Sequence, residues 1–270
     1  LVVMLRSLIG DLDNAKFILR FEDADFSQDM QPLYTAQEAV AYFEAFSKRY
    51  DFKFHIKLST NISAAAMVQN NAQTLLLRKN HKFSKNQLQV LANHEIGVHM
   101  VTTFNAVNQP LQIFSNGFPN NVETQEGLAV YSEYMSGCLT LNRLKELSYR
   151  VIAVDSLIKG YSFSDTFDLL YNQYKLEKDK AFAITLRVHR GGGFTKDHLY
   201  LSGLQKVYQY AKQDNDLDVI LTGKSSLEYK DAIYKLQDMG LANTSKYYTD
   251  AYLLKDAFNK DLDFILNSLK

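Results

Sequence analysis

The stretch that decides the fold of this chain is His94-Glu95-Ile96-Gly97-Val98-His99. It lies in a segment whose apolar residues recur with a helical period. Ser84-Lys85-Asn86-Gln87 has the spacing of a capping box, so the sequence predicts a helix from Ser84 to about Asn105. Two histidines and a glutamate inside one helix make a candidate metal site, although such residues are also common as solvated or core groups.

The spacing of the two histidines predicts a distortion of that helix. Zinc peptidases place two histidines four residues apart, with a glutamate after the first. His94 and His99 are five residues apart, which in a regular helix turns the second ring about 140° from the first. The rings converge only across a π-type turn, in which backbone bonds run from i to i+5. Gly97 lies between them and would ease this distortion, so we expect a π-bulge over residues 94–99.

A third ligand is available in the next predicted helix, 123–136. A catalytic zinc keeps three protein ligands and one open position. Glu126 would complete a set of two histidines and one glutamate. The following residue, Gly127, would let this helix approach the histidine helix closely.

Two further glutamates belong to the same helix. Glu133 is seven residues after Glu126 and lies on about the same face, so it is a candidate to hold a ligand histidine by its second ring nitrogen. Glu123 is expected on the exposed surface. Glu95 is too close to His94 to share a metal ion easily, but it can face the metal-bound water as general base.

These motifs resemble those of a known family. The pairing of His94–His99 with Thr124-Gln-Glu-Gly-Leu-Ala129 resembles the QEGLA-motif (DUF1704) family. Its bacterial members are labelled flavohaemoglobin expression-modulating proteins, and its eukaryotic relatives are microtubule-associated tyrosine carboxypeptidases, which detyrosinate α-tubulin. A further block matches at Arg190-Gly191, Phe194–Asp197 and Tyr200–Gly203.

The resemblance covers about residues 50–250, and the five-residue histidine spacing is part of the family pattern. It implies one zinc ion per chain, bound by His94, His99 and Glu126, with Glu95 catalytic. It also implies a metallocarboxypeptidase-like activity on a peptide or protein C-terminus. The loop after the histidine helix is short, and no tubulin-binding surface can be matched, which makes tubulin a doubtful substrate.

The block around residues 187–203 contains candidate substrate-binding groups. Arg187 and Arg190 are candidates to bind a terminal carboxylate in two parallel hydrogen bonds, with Lys196 as a point-charge alternative. Tyr200 or His198 could donate to a tetrahedral intermediate. The alternative to these binding roles is a structural one, in which Arg190 ends a helix and Tyr200 packs in the core.

The fold class predicted is mostly α (α+β), a zincin-like helical metallopeptidase domain with a small antiparallel sheet before the histidine helix. Residues 1–34 give no clear pattern, and 108–121 are expected to form a loop. The predicted strands are 52–58, 64–68 and 74–78. The other predicted helices are 35–50, 140–159, 164–176, 178–190, 197–213, 226–239 and 247–268. We expect a single domain over residues 1–270, trimmed at its N-terminus because the chain opens on Leu1.

Composition narrows the range of partners. The 30 basic residues balance the 30 acidic ones, so no excess positive charge points to nucleic acid. No apolar run approaches the ~18 residues of a membrane span. The single cysteine, Cys138, cannot form an internal disulfide, and we expect a cytoplasmic protein.

The function predicted from the sequence is that of a zinc-dependent metallopeptidase, acting as a carboxypeptidase. The alternatives are a non-catalytic or regulatory helical binding module that retains a metal site, and a zinc hydrolase acting on a non-peptide amide.

Overall fold

The computed structural model describes residues 2–22, 28–190, 196–253 and 259–270. These residues form a mostly helical fold with a three-stranded sheet, as predicted. The strands are β1 (His55–Ser59), β2 (Ala66–Gln69) and β3 (Thr74–Arg78). The α-helices are α1 (Val2–Ile18), α2 (Ala36–Ser47), α3 (Lys85–Leu91), α4 (Val101–Val107), α5 (Ile113–Asn116), α6 (Asn121–Met135), α7 (Leu141–Ile158), α8 (Phe163–Asp168), α9 (Lys178–His189), α10 (Leu199–Lys212), α11 (Asp218–Leu221), α12 (Lys230–Asp238) and α13 (Lys260–Asn267). Two π-helical segments are Ala92–Met100, between α3 and α4, and Leu169–Gln173, after α8.

The predicted helix starts are confirmed at two caps. The hydroxyl of Thr35 accepts from the Glu38 N–H, and the Glu38 carboxylate accepts from the Thr35 N–H at 2.8 Å. The hydroxyl of Ser84 accepts from the Gln87 N–H at 3.0 Å. Each cap satisfies a donor that the first helical turn leaves free, and so fixes where the helix begins.

The sheet is mixed, so the prediction of an antiparallel sheet is wrong for one pair. Its strand order is β1-β3-β2, with β2 antiparallel and β1 parallel to β3. Strand β3 takes the central position because Leu75 and Leu77 are fully buried and Thr74 is nearly so. Sequence neighbours β1 and β2 are therefore not spatial neighbours.

Three other elements depart from the sequence expectations. Helix α1 lies within residues 1–34, where the sequence gives no clear pattern. The predicted loop 108–121 contains the short helix α5. The predicted helix 247–268 is wrong in its first part, where the chain forms a 3-10 turn at Asp250–Leu253 before α13 begins; residues 254–258 lie outside the described residues.

Two glycines set the crossing of α6 and α10. A Cβ on Gly127 would lie 2.3 Å from the carbonyl carbon of Gly203, and a Cβ on Gly203 would lie 2.1 Å from the Glu123 carbonyl oxygen. The two helices therefore touch backbone to backbone. The expectation that Gly127 serves the approach to the histidine helix is wrong, because its close neighbour is α10.

The main core joins both ends of the described chain. One apolar cluster includes Ala15 of α1 and Leu269 after α13, together with buried residues of α6 and α10. A second, smaller cluster includes Ile152, Leu170 and Val188. Within the described residues, no helix combines the length and apolarity that crossing a membrane requires.

Candidate metal centre and active site

The predicted widening of the histidine helix is present. Residues Ala92–Met100 form a π-helix that continues from α3 and passes into α4. His94 and His99 consequently lie on one side, with ring centroids 5.0 Å apart. His94 is buried, and the His99 side chain is 15% exposed.

Helix α6 brings a carboxylate to the two imidazoles. The Oε2 atom of Glu126 lies 3.4 Å from Nε2 of His94 and 3.6 Å from Nε2 of His99. One ligand atom from each of the three residues lies within 4.8 Å of the others. The cluster could therefore hold a metal ion.

The donor set fits a metal ion better than it fits a hydrogen-bonded cluster. Glu126 Oε2 is buried and has no hydrogen-bond partner. Around a tetrahedral ion with bonds of about 2.0–2.2 Å, neighbouring ligand atoms lie about 3.3–3.6 Å apart. The measured spacings of Glu126 Oε2 match this range, and two imidazoles with one carboxylate are a typical catalytic ligand set.

Glu133 orients the first histidine as the sequence predicts. Its Oε1 lies 2.8 Å from Nδ1 of His94, which leaves Nε2 facing Glu126. Glu133 is fully buried, and its charge is balanced by Arg143, whose Nε lies 3.3 Å from Oε2. The contact fixes the ring orientation of His94.

The charges of the cluster favour cation binding. Burial lowers the pKa of His99 and opposes the charged form of His94, but contacts with Glu126 and Glu133 raise the pKa of His94 to about 9. Burial acts to raise the pKa of Glu126, but the two imidazoles and Lys196 hold it well below its usual range. A metal ion bound here would therefore meet an ionised carboxylate, and its binding to His94 would release a proton from that imidazole at neutral pH.

Glu95 lies beside the cluster and is not one of its three candidate ligands. Its side chain is buried, and within the described ranges no hydrogen bond engages its carboxylate. Its charge acts on both histidines. A carboxylate in this position is available to accept a proton.

A group of basic side chains surrounds Tyr200 next to the cluster. Lys196 Nζ lies 2.5 Å from Glu126 Oε1, and Nη2 of Arg187 donates to the Tyr200 hydroxyl at 3.4 Å. Lys196, Arg187 and Arg150 lie 5.7, 5.8 and 5.4 Å from the centre of the Tyr200 ring. The ring itself stacks 6.3 Å from that of His94.

Burial of Tyr200 raises the pKa of its phenol, with the Glu126 charge adding to the effect against the three cations. Tyr200 therefore keeps its proton at neutral pH and remains a hydrogen-bond donor. Arg187 is held in place by an ion pair with Asp197.

The sequence also matches a known protein family. A family model described as microtubule-associated tyrosine carboxypeptidase matches residues 4–270. The chain belongs to this family. Among curated proteins, none matches the chain.

The match confirms the family predicted from the histidine and QEGLA motifs. Membership of a tyrosine carboxypeptidase family agrees with a peptidase that acts at peptide C-termini. The doubt about tubulin is not borne out, because the family is described as microtubule-associated.

Other predicted residues of this carboxypeptidase family member lie away from the cluster. The described contact of Arg190 is with the Ser63 hydroxyl. His198 is buried at the start of α10, where its Nδ1 has no partner, and His189 contacts the Thr166 hydroxyl at 2.9 Å. Residues 191–193, three glycines that follow Arg190, lie outside the described residues.

The expected exposure of Glu123 is wrong, because its side chain is only 13% exposed and pairs with Lys206 at 2.6 Å. Helix α10 packs over it and contributes Lys206.

Sequence reasoning missed residues that reach the site from distant segments. Arg150 of α7 lies over Tyr200, while Lys224 and Thr249 donate to carbonyls of the π-helix. No local spacing marks them, because they follow the histidines by more than 50 residues. Gln125 was visible within the QEGLA motif, and its side chain links Thr102 to the Gly223 carbonyl.

Proposed function

We propose that this chain is a zinc-dependent carboxypeptidase that acts as one domain over residues 1–270 and removes a residue from a peptide C-terminus. The observation that carries the proposal is the convergence of His94, His99 and Glu126 on one point, beside the free carboxylate of Glu95. Family membership supports the same activity.

His94, His99 and Glu126 would hold the zinc ion. Zinc at such a site acts as a Lewis acid and lowers the pKa of a bound water toward ~7. Two imidazoles and one carboxylate suit zinc, which keeps a further position open in catalytic sites.

Glu95 would act as general base. Its carboxylate takes a proton from the attacking water and then donates it to the nitrogen of the leaving residue. The absence of hydrogen bonds to Glu95 from the described residues supports this role, because no other partner competes for the proton.

The basic group around Tyr200 would receive the substrate. The Lys196 side chain is 52% exposed, and its ammonium group can bind the terminal carboxylate. Arg187 offers a guanidinium at the Tyr200 hydroxyl, and this hydroxyl can donate to the oxygen that gains charge. Arg190, whose described contact is with the Ser63 hydroxyl, remains a candidate to bind the same carboxylate.

Peptides that end in tyrosine are the first substrates to test, since the family is described by tyrosine carboxypeptidase activity. A tubulin tail belongs among them. We also propose a cytoplasmic location, with which the buried free thiol of Cys138 is compatible.

The experiment is to incubate the zinc-loaded chain with peptides and identify products by mass spectrometry. We expect release of a single C-terminal residue, and no release from the same peptides with an amidated C-terminus. Glu95→Gln should retain zinc and lose turnover. Internal cleavage would instead indicate an endopeptidase, and unchanged turnover in zinc-loaded Glu95→Gln would exclude the role of Glu95.

A further inference from the structure

The return from the π-helix to α4 leaves one backbone carbonyl without a helical partner. The N–H of Val101 still bonds to Ile96, five residues earlier. The same N–H also bonds to the Val98 carbonyl, so it skips the carbonyl of Gly97 that lies between these two acceptors. The carbonyl of Gly97 is therefore passed over. A buried carbonyl that lacks a partner is strongly unfavourable, so the π-helix needs a donor from elsewhere.

Thr249 supplies that donor. Its hydroxyl donates to the Gly97 carbonyl at 2.8 Å, and the residue is fully buried. The segment that carries it is anchored by residues just after Thr249. Asp250 pairs with Arg49 at 2.8 Å, and the Tyr252 hydroxyl donates to the Leu128 carbonyl of α6 at 3.0 Å.

A second group of donors satisfies the carbonyl of His99. It accepts from the Thr103 hydroxyl at 2.7 Å and from Nζ of Lys224 at 3.1 Å. Lys224 also donates to the Thr102 hydroxyl at 2.9 Å. The backbone N–H of Lys224 bonds to the Phe114 carbonyl at 2.7 Å, which fixes the loop that carries it.

Steric room does not require a glycine at position 97. A Cβ on Gly97 would lie 3.6 Å or more from its nearest neighbours, which is ordinary van der Waals contact. The side chains of Thr249 and Lys224 approach the helix from segments more than 120 residues later. Thr249 binds the Gly97 carbonyl, and Lys224 binds the carbonyl of His99, the second histidine.

We propose that Thr249 and Lys224 are positioning residues of the metal centre, which hold the widened turn so that His94 and His99 face one ion. This inference rests on the proposed function. Neither residue belongs to the metal-binding cluster; each donates to a backbone carbonyl of the π-helix.

The test compares metal affinity in Thr249→Val, which keeps the shape and loses the hydroxyl, with that in Thr249→Ser, which keeps the hydroxyl. Affinity for Zn²⁺ is measured by competition with a chromophoric chelator, and the absorption spectrum of bound Co²⁺ reports the ligand geometry. We expect about tenfold weaker binding and an altered Co²⁺ spectrum in Thr249→Val, and near-normal binding in Thr249→Ser.

Thr185→Val is the matched control. Thr185 is also fully buried, and its hydroxyl also donates to a backbone carbonyl at 2.8 Å, that of Ala181 in α9. This control should bind metal as the wild type does. Lys224→Met tests the second carbonyl in the same assays, and circular dichroism without metal shows whether each variant folds. Should Thr249→Val not fold, Lys224→Met decides the question.

The outcomes separate this inference from the proposed function. A wild-type chain that binds Zn²⁺, with folded variants that bind it equally tightly and with the same Co²⁺ spectrum, would overturn the positioning role alone. Equal losses in Thr249→Val and Thr185→Val would also overturn it, because the effect would then be general destabilisation. A wild-type chain that binds neither metal would overturn the proposed function as well.

Discussion

Nδ1 of His94 lies 2.8 Å from Oε1 of Glu133, and both side chains are buried. This contact assigns the two ring nitrogens of His94 to different tasks, since Nδ1 faces Glu133 and Nε2 faces Glu126. It also connects the metal ligand to Arg143, and through Arg143 to Glu146 on α7.

Glu133→Ala should weaken metal binding by about 10- to 100-fold, because it removes the carboxylate that orients His94 and makes its imidazole a stronger ligand. Chelator competition measures the effect. Glu146→Gln is the control, since Glu146 contacts Arg143 without contacting His94 and is 43% exposed. Equal metal affinities in Glu133→Ala and the wild type would contradict the proposed orientation of His94.

Lys196→Met should raise KM for peptides with a free C-terminus by about 10- to 100-fold, the expected value of a charge-assisted hydrogen bond. Steady-state kinetics at verified metal occupancy measure it. Lys206→Met is the control, because Lys206 is similarly exposed but pairs with Glu123. A KM that stays constant in Lys196→Met would exclude Lys196 as the carboxylate anchor.

Asp11 should make the chain less stable as the pH rises from about 4 to 7. Burial raises its pKa to about 7 from 3.8, with the nearby Glu123 adding to the effect, and its Oδ2 has no hydrogen-bond partner. Between these pH values the folded chain binds more protons than the unfolded chain, so the free energy of unfolding falls, by up to about 4 kcal/mol.

The check is chemical denaturation of the metal-free chain at several pH values. Asp11→Asn should flatten the slope between pH 4 and 7 and leave the chain more stable than the wild type at pH 8. Asp13→Asn, at an exposed position on the same helix, should keep the wild-type slope. A slope that survives in Asp11→Asn would assign the pH dependence to another group.

Gly203→Ala should destabilise the chain by about 3 kcal/mol, since the added methyl would overlap the Glu123 carbonyl and force α6 and α10 apart. Thermal or denaturant unfolding measures the loss. Gly10→Ala in α1 is the opposite case, because a Cβ there meets nothing within 4 Å. It should stabilise the chain by about 0.5–1 kcal/mol. Similar effects of the two substitutions would contradict the tight crossing.

The local parts of the site could be predicted from the sequence. The five-residue spacing of His94 and His99 has few helical solutions if both rings are to meet, and the structure has the π-helix that this reasoning requires. The contact of Glu133 with His94 could be predicted because Glu133 is seven residues after Glu126 and lies on about the same helix face. Helix starts at Thr35 and Ser84 followed from capping chemistry within four residues.

The remaining features depend on contacts between distant segments. The pairing of β1 with β3 depends on β3 being the central strand, where Leu75 and Leu77 are buried. The alternation of apolar residues along each strand does not show which strand is the most buried. The donors Lys224 and Thr249 carry no motif, since any hydroxyl or amine in their places looks like an ordinary surface group until the chain is folded. The partner of Gly127 was misassigned for the same reason.

The backbone contact at Gly127 and Gly203 also limits how α6 and α10 can move relative to each other at the candidate site. Glu126 adjoins one of these glycines, Tyr200 is three residues from the other, and the glycines themselves bring no side chain to the point of closest approach. Sliding or tilting at this crossing meets steric overlap at once, so the ligand carboxylate and the phenol keep a constant separation. Any hinge that admits or releases a peptide must lie outside this helix pair.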